Sequence, residues 1–198
     1  MLGIFLDTET NGLNSKHNRI IEIAYKIIDL LSGDELDSYS TIVAQPESVW
    51  EMSNLKSLEV NGFTYEEVKR GKEEKVVAAE IIHSYKKNNI QKDNSVFICQ
   101  NPSFDRCFFS QLIDSDMQDL LNWPYHWLDF SSMYWALSLK KAANNHEFFP
   151  WETGFSKDKI ALTQNLPKEA SPHRAMNGVK HLILCYKSVV GFPFLNKK

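Results

Sequence analysis

Cysteine is scarce in this chain of 198 residues. Cys99, Cys107 and Cys185 stand far apart with no C-x-x-C pair, which excludes a disulfide framework and a zinc site of paired cysteines, and fits a reducing compartment. Surplus positive charge is missing too. The 22 Lys and Arg against 25 Asp and Glu leave a net charge of −3, which excludes gripping a polyanion by charge alone. Any such partner must be held locally. No apolar run approaches the length of a membrane span, and the first one reaches Asp7 with no basic stretch ahead of it, unlike a signal peptide. Repeats and low-complexity linkers are absent. These absences lead us to expect one cytoplasmic domain over residues 1–198, with no membrane partner. Acids also run out early, for none follows Glu169.

What is present is a strand-rich first quarter and a helical remainder. Residues 2–8 read as a strand, with "TNG" as the turn after it. "RIIEIAYKIID" (19–29) places Ile21, Ile23, Tyr25 and Ile27 on one side of an alternation, and 36–46 alternates again up to Pro46. Short turns between these runs predict antiparallel neighbours. Thr64 and Glu67 fit a capping box with Gly71 as a stop, and Val77, Ile81 and Tyr85 form a helical stripe. "SVFIC" (95–99) suits a strand buried on both faces, followed by a helix through Phe104, Phe108 and Leu112. A short strand within 125–130, a helix over 132–142, a long loop over 144–158 and a last helix from Ala175 to Val190 complete the pattern. Three antiparallel strands followed by alternating helix and strand predict an α/β fold, with helices over both faces of a mixed five-stranded sheet.

Asp7 and Glu9 stand two apart on the first strand, so both side chains leave the same face. Two adjacent carboxylates repel and hold protons more tightly unless a cation lies between them, which suggests an oxygen-ligand site for a hard divalent ion. Asp105 sits where the "SVFIC" strand hands over to a helix, the place where ligands gather in such sheets. His173 follows a Ser-Pro break at the mouth of the last helix, and a histidine beside such a cluster can accept a proton from water at neutral pH. Asn101 has a plainer use as a turn cap, and Asp105 a plainer use at a helix dipole.

In order along the chain, "FLDTETNGL", "NPSFD" and "HRAMNGV" resemble the three motifs of the DEDDh 3′-5′ exonucleases of the ribonuclease H-like superfamily, which includes polymerase proofreading subunits and ribonuclease T. The resemblance covers about residues 2–190. "LDF" (128–130) and "NGFT" (61–64) fit it as well, the second as a loop on the substrate side. It implies α/β/α layers and two Mg²⁺ or Mn²⁺ ions on Asp7, Glu9 and Asp105, with His173 as general base. It also implies in-line hydrolysis of a terminal phosphodiester, the two metals stabilising the attacking and leaving oxygens. The partners would be 3′ ends of single-stranded DNA or RNA, and the product a nucleoside 5′-monophosphate. Thr8, Thr10, Asn11, Gly12, Leu13, Asn101 and Phe104 would lie along the substrate, with Leu13, Trp50 and Phe63 as candidate wedges at the end of the strand. A polymerase or a second copy of the chain would be a possible companion.

The third motif departs from the family pattern H-x-A-x-x-D, because Gly178 stands where the fourth acid belongs. Glycine inside a helix also costs about 1 kcal/mol relative to alanine. Three outcomes follow: an enzyme that works with three acids, an inactivated one, or a non-catalytic nucleic-acid-binding or interaction module on the same fold.

Overall fold

The computed structural model describes residues 1–145 and 147–194. Residue 146, inside the expected 144–158 loop, and residues 195–198 lie outside the described residues. Among the described residues, five strands form one sheet: β1 (Leu2–Thr10), β2 (Ile20–Asp29), β3 (Glu35–Ile42), β4 (Ser95–Cys99) and β5 (Trp127–Asp129). Between β3 and β4 lie α1 (Glu47–Trp50), α2 (Leu55–Asn61), α3 (Tyr65–Lys69) and α4 (Glu74–Lys87). After β4 come α5 (Pro102–Leu112) and α6 (Ser115–Leu120), and after β5 come α7 (Phe130–Asn145), α8 (Pro150–Thr153), α9 (Lys157–Thr163) and α10 (Ala175–Val189).

The sheet order is β3-β2-β1-β4-β5. β1 pairs antiparallel with β2, and β2 with β3, while β1–β4 and β4–β5 are parallel. The expected mixed five-stranded sheet is borne out. One face carries Ile4, Leu6, Ile23, Tyr25, Ile27 and Phe97, closed by Val77, Ile81 and Tyr85 of α4 and Phe108 and Phe109 of α5. The other carries Phe5, Ala24, Ile28 and Ile98, closed by α7, α9 and α10 through Phe130, Ile160, Ala161, Val179 and Leu182. Each such side chain contributes about 1.5–3 kcal/mol on burial, enough together to fix where β1 ends.

Several boundaries differ from the sequence reading, each for a local reason. Ile21 does not share a side with Ile23, because Glu9 pairs with Glu22 and Thr10 with Ile20, leaving Ile21 as the extra residue of a bulge. It packs instead with Phe63 and Val68. β3 stops at Ile42, and Pro46 caps α1 rather than closing a strand. Helix α7 begins at Phe130, directly after Asp129, whose carboxylate accepts from the backbone N–H groups of Ser131 and Ser132. The 144–158 stretch is not all loop, since α8 lies within it and α9 starts at Lys157. The Thr64–Glu67 capping box forms as read.

Candidate active site

The site forms where β1 outruns its parallel neighbour. The β1–β4 register ends at Phe5 opposite Ile98, so the Thr8 N–H lies beyond the last paired residue of β4. It donates to Asp105 Oδ1 at 3.0 Å, and the Thr8 hydroxyl donates to the same oxygen at 2.9 Å. Asp105 reaches this edge from α5, which Asn101 starts in the left-handed region at φ 59° with Pro102 as its first residue. The Asn101 N–H donates to Asp129 Oδ1 at 3.0 Å, tying the β4 and β5 ends together. Its side-chain oxygen accepts from the Ser103 hydroxyl and from no backbone N–H of the first turn, so Asn101 starts the helix by its backbone rather than as a side-chain cap.

Asp7 and Glu9 leave the opposite face, under α10. Gly178 of that helix lies against Asp7: a Cβ at 178 would stand 2.3 Å from Asp7 Oδ2. The fourth-acid position therefore faces the cluster, and glycine is what lets Asp7 lie there. Burial raises the proton affinity of Asp7, and the Glu169 charge adds to it while Lys157 opposes it. Burial, then the charges of Asp7 and Glu22, push the Glu9 carboxyl up to about 8. Burial and the Asp7 charge push Asp105 to about 8, against the two Thr8 hydrogen bonds. The hard oxygens of Asp7, Glu9 and Asp105 suit a divalent ion by chemistry. As they stand, however, no three His, Cys, Asp or Glu side chains among the described residues converge tightly enough to hold one.

A lysine and a further acid complete the arrangement, and neither was read from the sequence. Lys157, the first residue of α9, places Nζ 3.0 Å from Asp7 Oδ1 and 3.0 Å from Glu169 Oε2. Burial would lower the proton affinity of Lys157, but the Asp7 and Glu169 charges outweigh it and keep the ammonium charged. Glu169 is held because its backbone N–H donates to Asp158 Oδ1 at 3.0 Å. Its Oε1 has no hydrogen-bond partner and lies 3.7 Å from His173 Nδ1. His173 itself is 42% exposed, open to solvent beside the acids. Glu22, opposite Glu9 in β2, accepts from the Ala175 N–H at 2.7 Å and so anchors the start of α10. The one signal for Glu169 was its place as the chain's last acid, four residues before His173. Lys157 gave none.

The expected substrate-side residues divide in two. Thr10 donates to the Gly12 carbonyl at 2.7 Å. Asn11, fully buried, donates to the Val49 carbonyl and accepts from the Arg19 N–H. Gly12 packs against Asn18 with no room for a Cβ. These three build the turn, while Thr8 binds Asp105 and, like Thr10, also lines the cleft beside it. Leu13 is 75% exposed, and with Phe104, Glu9, Thr10 and Val60 it lines a cleft of about 360 Å³ next to the acids. Phe63 is no wedge: it is buried under the Arg174 guanidinium, 3.7 Å from its ring. Trp50 packs on Tyr65. A larger cleft of about 790 Å³ opens along α7 and α8, away from the acids.

The exonuclease family model matches residues 4–183, and the chain belongs to that family. The DEDDh-type resemblance drawn from the three motifs is thereby borne out. No curated protein matches the chain. Among solved structures, E. coli exonuclease I in complex with a dT13 oligonucleotide superposes with a TM-score of 0.73 at 14% identity, over 95% of this chain and 41% of that one. The zinc-bound E. coli exonuclease I–single-stranded DNA complex gives 0.74 at 14% identity, over 96% and 40%. Exonuclease I from Methylocaldum szegediense gives 0.72 at 12% identity, over 95% and 40%. At these identities the likeness is one of fold. The chain spans about two fifths of the length of these exonucleases.

Proposed function

We propose that this chain is a metal-dependent 3′-5′ exonuclease acting on single-stranded DNA or RNA and releasing nucleoside 5′-monophosphates. The observation that carries the reading is that Asp7, Glu9 and Asp105 all lie about the end of β1, near enough for the Asp7 charge to raise the proton affinity of the other two. Membership of the exonuclease family supports it. So do the oligonucleotides bound by exonuclease I, which shares the fold. Mg²⁺ or Mn²⁺ would be held by Asp7, Glu9 and Asp105, and would supply charge neutralisation and an activated water at an otherwise repelled phosphate.

The chain's own residues then have separable tasks. Thr8 fixes one oxygen of Asp105 with two hydrogen bonds, leaving the other free. His173 takes the proton of the attacking water, with Glu169 Oε1 3.7 Å from its Nδ1. The new bond forms between water oxygen and phosphorus as the bond to the 3′-oxygen of the penultimate nucleotide breaks. Leu13 and Phe104 form the apolar wall against which the terminal nucleotide lies.

Single-stranded DNA and RNA oligonucleotides labelled at either end, incubated with Mn²⁺ or with EDTA, test this. The expected result is mononucleotide release from the 3′ end in Mn²⁺ only, lost at least a hundredfold in Asp7→Ala. Equal release from wild type and Asp7→Ala would sink the enzyme reading. Gly178 and the Lys157 ion pair favour one rival, a binding module without turnover. That module predicts strand binding that survives EDTA, with no mononucleotide in any lane.

A further inference from the structure

Four aromatic rings stand partly out of the fold on the α7–α8 side of the site, and none has a task so far. Trp135 of α7 and Phe155 meet edge to face, with ring centres 5.3 Å apart and planes at 88°. Trp151 of α8 adjoins Trp135 at 5.5 Å and lies parallel to Phe149 at 4.6 Å. The rings therefore form a continuous ladder, Phe155–Trp135–Trp151–Phe149. Trp151 is 54% and Phe155 44% exposed. The segment does not need these two rings to hold on to the core, because Pro150, Ile160 and Ala161 are buried and anchor it. The ladder starts at the site. The Phe155 carbonyl accepts from Gln100 Nε2 at 3.1 Å, in the connection between β4 and the helix that carries Asp105. Two residues further on, Lys157 reaches Asp7. In the corner between Trp135 and Phe155, Asp129, Ser131 and Ser132 complete a pocket of about 180 Å³.

We propose that this ladder is a stacking track for the internal bases of a single strand whose 3′ end lies at the acids. The track rests on the reading above for the kind of partner and adds where the strand lies. Flat rings with an open face hold any base by its π face, each worth about tenfold in affinity. The charge balance calls for such a device, since a net charge of −3 cannot hold a polyanion by itself and stacking needs no surplus lysine. The Asp129 carboxylate in the pocket wall repels phosphate, so bases rather than the backbone turn toward the rings. A second copy of the chain would need a continuous apolar face, and Asp129, Ser131 and Ser132 break this one up.

Fluorescence anisotropy of a 5′-labelled dT13 strand, titrated with the intact chain in EDTA, reads the track apart from catalysis. Trp151→Ala is expected to weaken binding about tenfold with circular dichroism unchanged, and Phe155→Leu serves if that variant does not fold. The same strand made abasic except at its two 3′-terminal nucleotides should bind wild type at least about tenfold more weakly than dT13, with no further loss in Trp151→Ala. Equal binding of dT13 by wild type and the folded variants, or of both strands by wild type, would overturn this inference. So would a wild-type dimer that Trp151→Ala dissociates with strand binding unchanged, which would make the ladder an interface between copies. No binding by wild type in EDTA would also overturn it, and would leave the exonuclease reading to stand on mononucleotide release. Strand binding in EDTA is common to the enzyme and to the module, and release in Mn²⁺ is what separates those two.

Discussion

At the scale of single residues, Gly178 shows why local preference does not decide a position. Glycine inside α10 costs about 1 kcal/mol against alanine, so Gly178→Ala should stabilise the chain on propensity alone. The added Cβ would instead stand 2.3 Å from Asp7 Oδ2 and 2.6 Å from its Cγ. Asp7 can yield only by leaving Lys157, and overpacking of this kind costs about 1–3 kcal/mol. Gly178→Ala is therefore expected to lower the melting temperature in EDTA, and Gly178→Asp to lower it further by adding a charge. Thermal unfolding checks the sign, and a higher melting point for Gly178→Ala would mean that Asp7 moves freely. Gly178 could be read from the sequence as a departure. What it accommodates could not, because Lys157 lies 21 positions earlier and joins it only through the fold.

The scale of elements explains what was legible and what was not. β1, β2 and β4 carry apolar patterns, and the motifs at the ends of β1 and β4 and ahead of α10 put Asp7, Glu9, Asp105 and His173 on the page before any coordinates. Helix α9 escaped because seven residues with Ser156 as cap give too short a stretch for periodicity, and it begins inside a run of aromatic and polar residues that reads as loop. Its position comes from Ile160 and Ala161, buried against the sheet, and from Asp158, which holds the loop carrying Glu169. The junction of β1 and α5 was half legible. The sequence placed Asp105 at the helix start, but the role of Thr8 needed the register that leaves its N–H unpaired. Partners that orient a ligand usually matter about 10–100-fold in metal affinity. Thr8→Val removes the 2.9 Å hydroxyl bond and keeps the N–H one. It should weaken Mn²⁺ binding about tenfold with little change in circular dichroism, and unchanged affinity would show that Asp105 needs only the backbone.

Across the whole molecule, two closed cores force ionisable groups together at one end of the sheet, and that has a consequence for pH. Glu9 titrates near 8 in the fold against about 4.5 as an ordinary carboxyl, because burial and the charges of Asp7 and Glu22 disfavour its ionised form. The folded state thus keeps a proton that the unfolded chain gives up. The contribution to stability is fully present below the unfolded value near 4.5 and is lost as pH rises through about 8. Asp105 acts in the same direction, from 3.8 to about 8. Other carboxylates, such as Glu67 with its Thr64 hydrogen bonds, have lowered values and pull the opposite way at acid pH. The clean measurement is therefore a difference, the melting temperature of wild type minus that of Glu9→Gln in EDTA from pH 4 to 9. That difference should fall steadily between about 4.5 and 8 and level off above. Saturating Mn²⁺ should reverse its sign at pH 8, since a bound ion stabilises the ionised carboxylate and finds a weaker ligand in the amide. A difference independent of pH in EDTA would show that water, rather than the fold, sets the charge of Glu9.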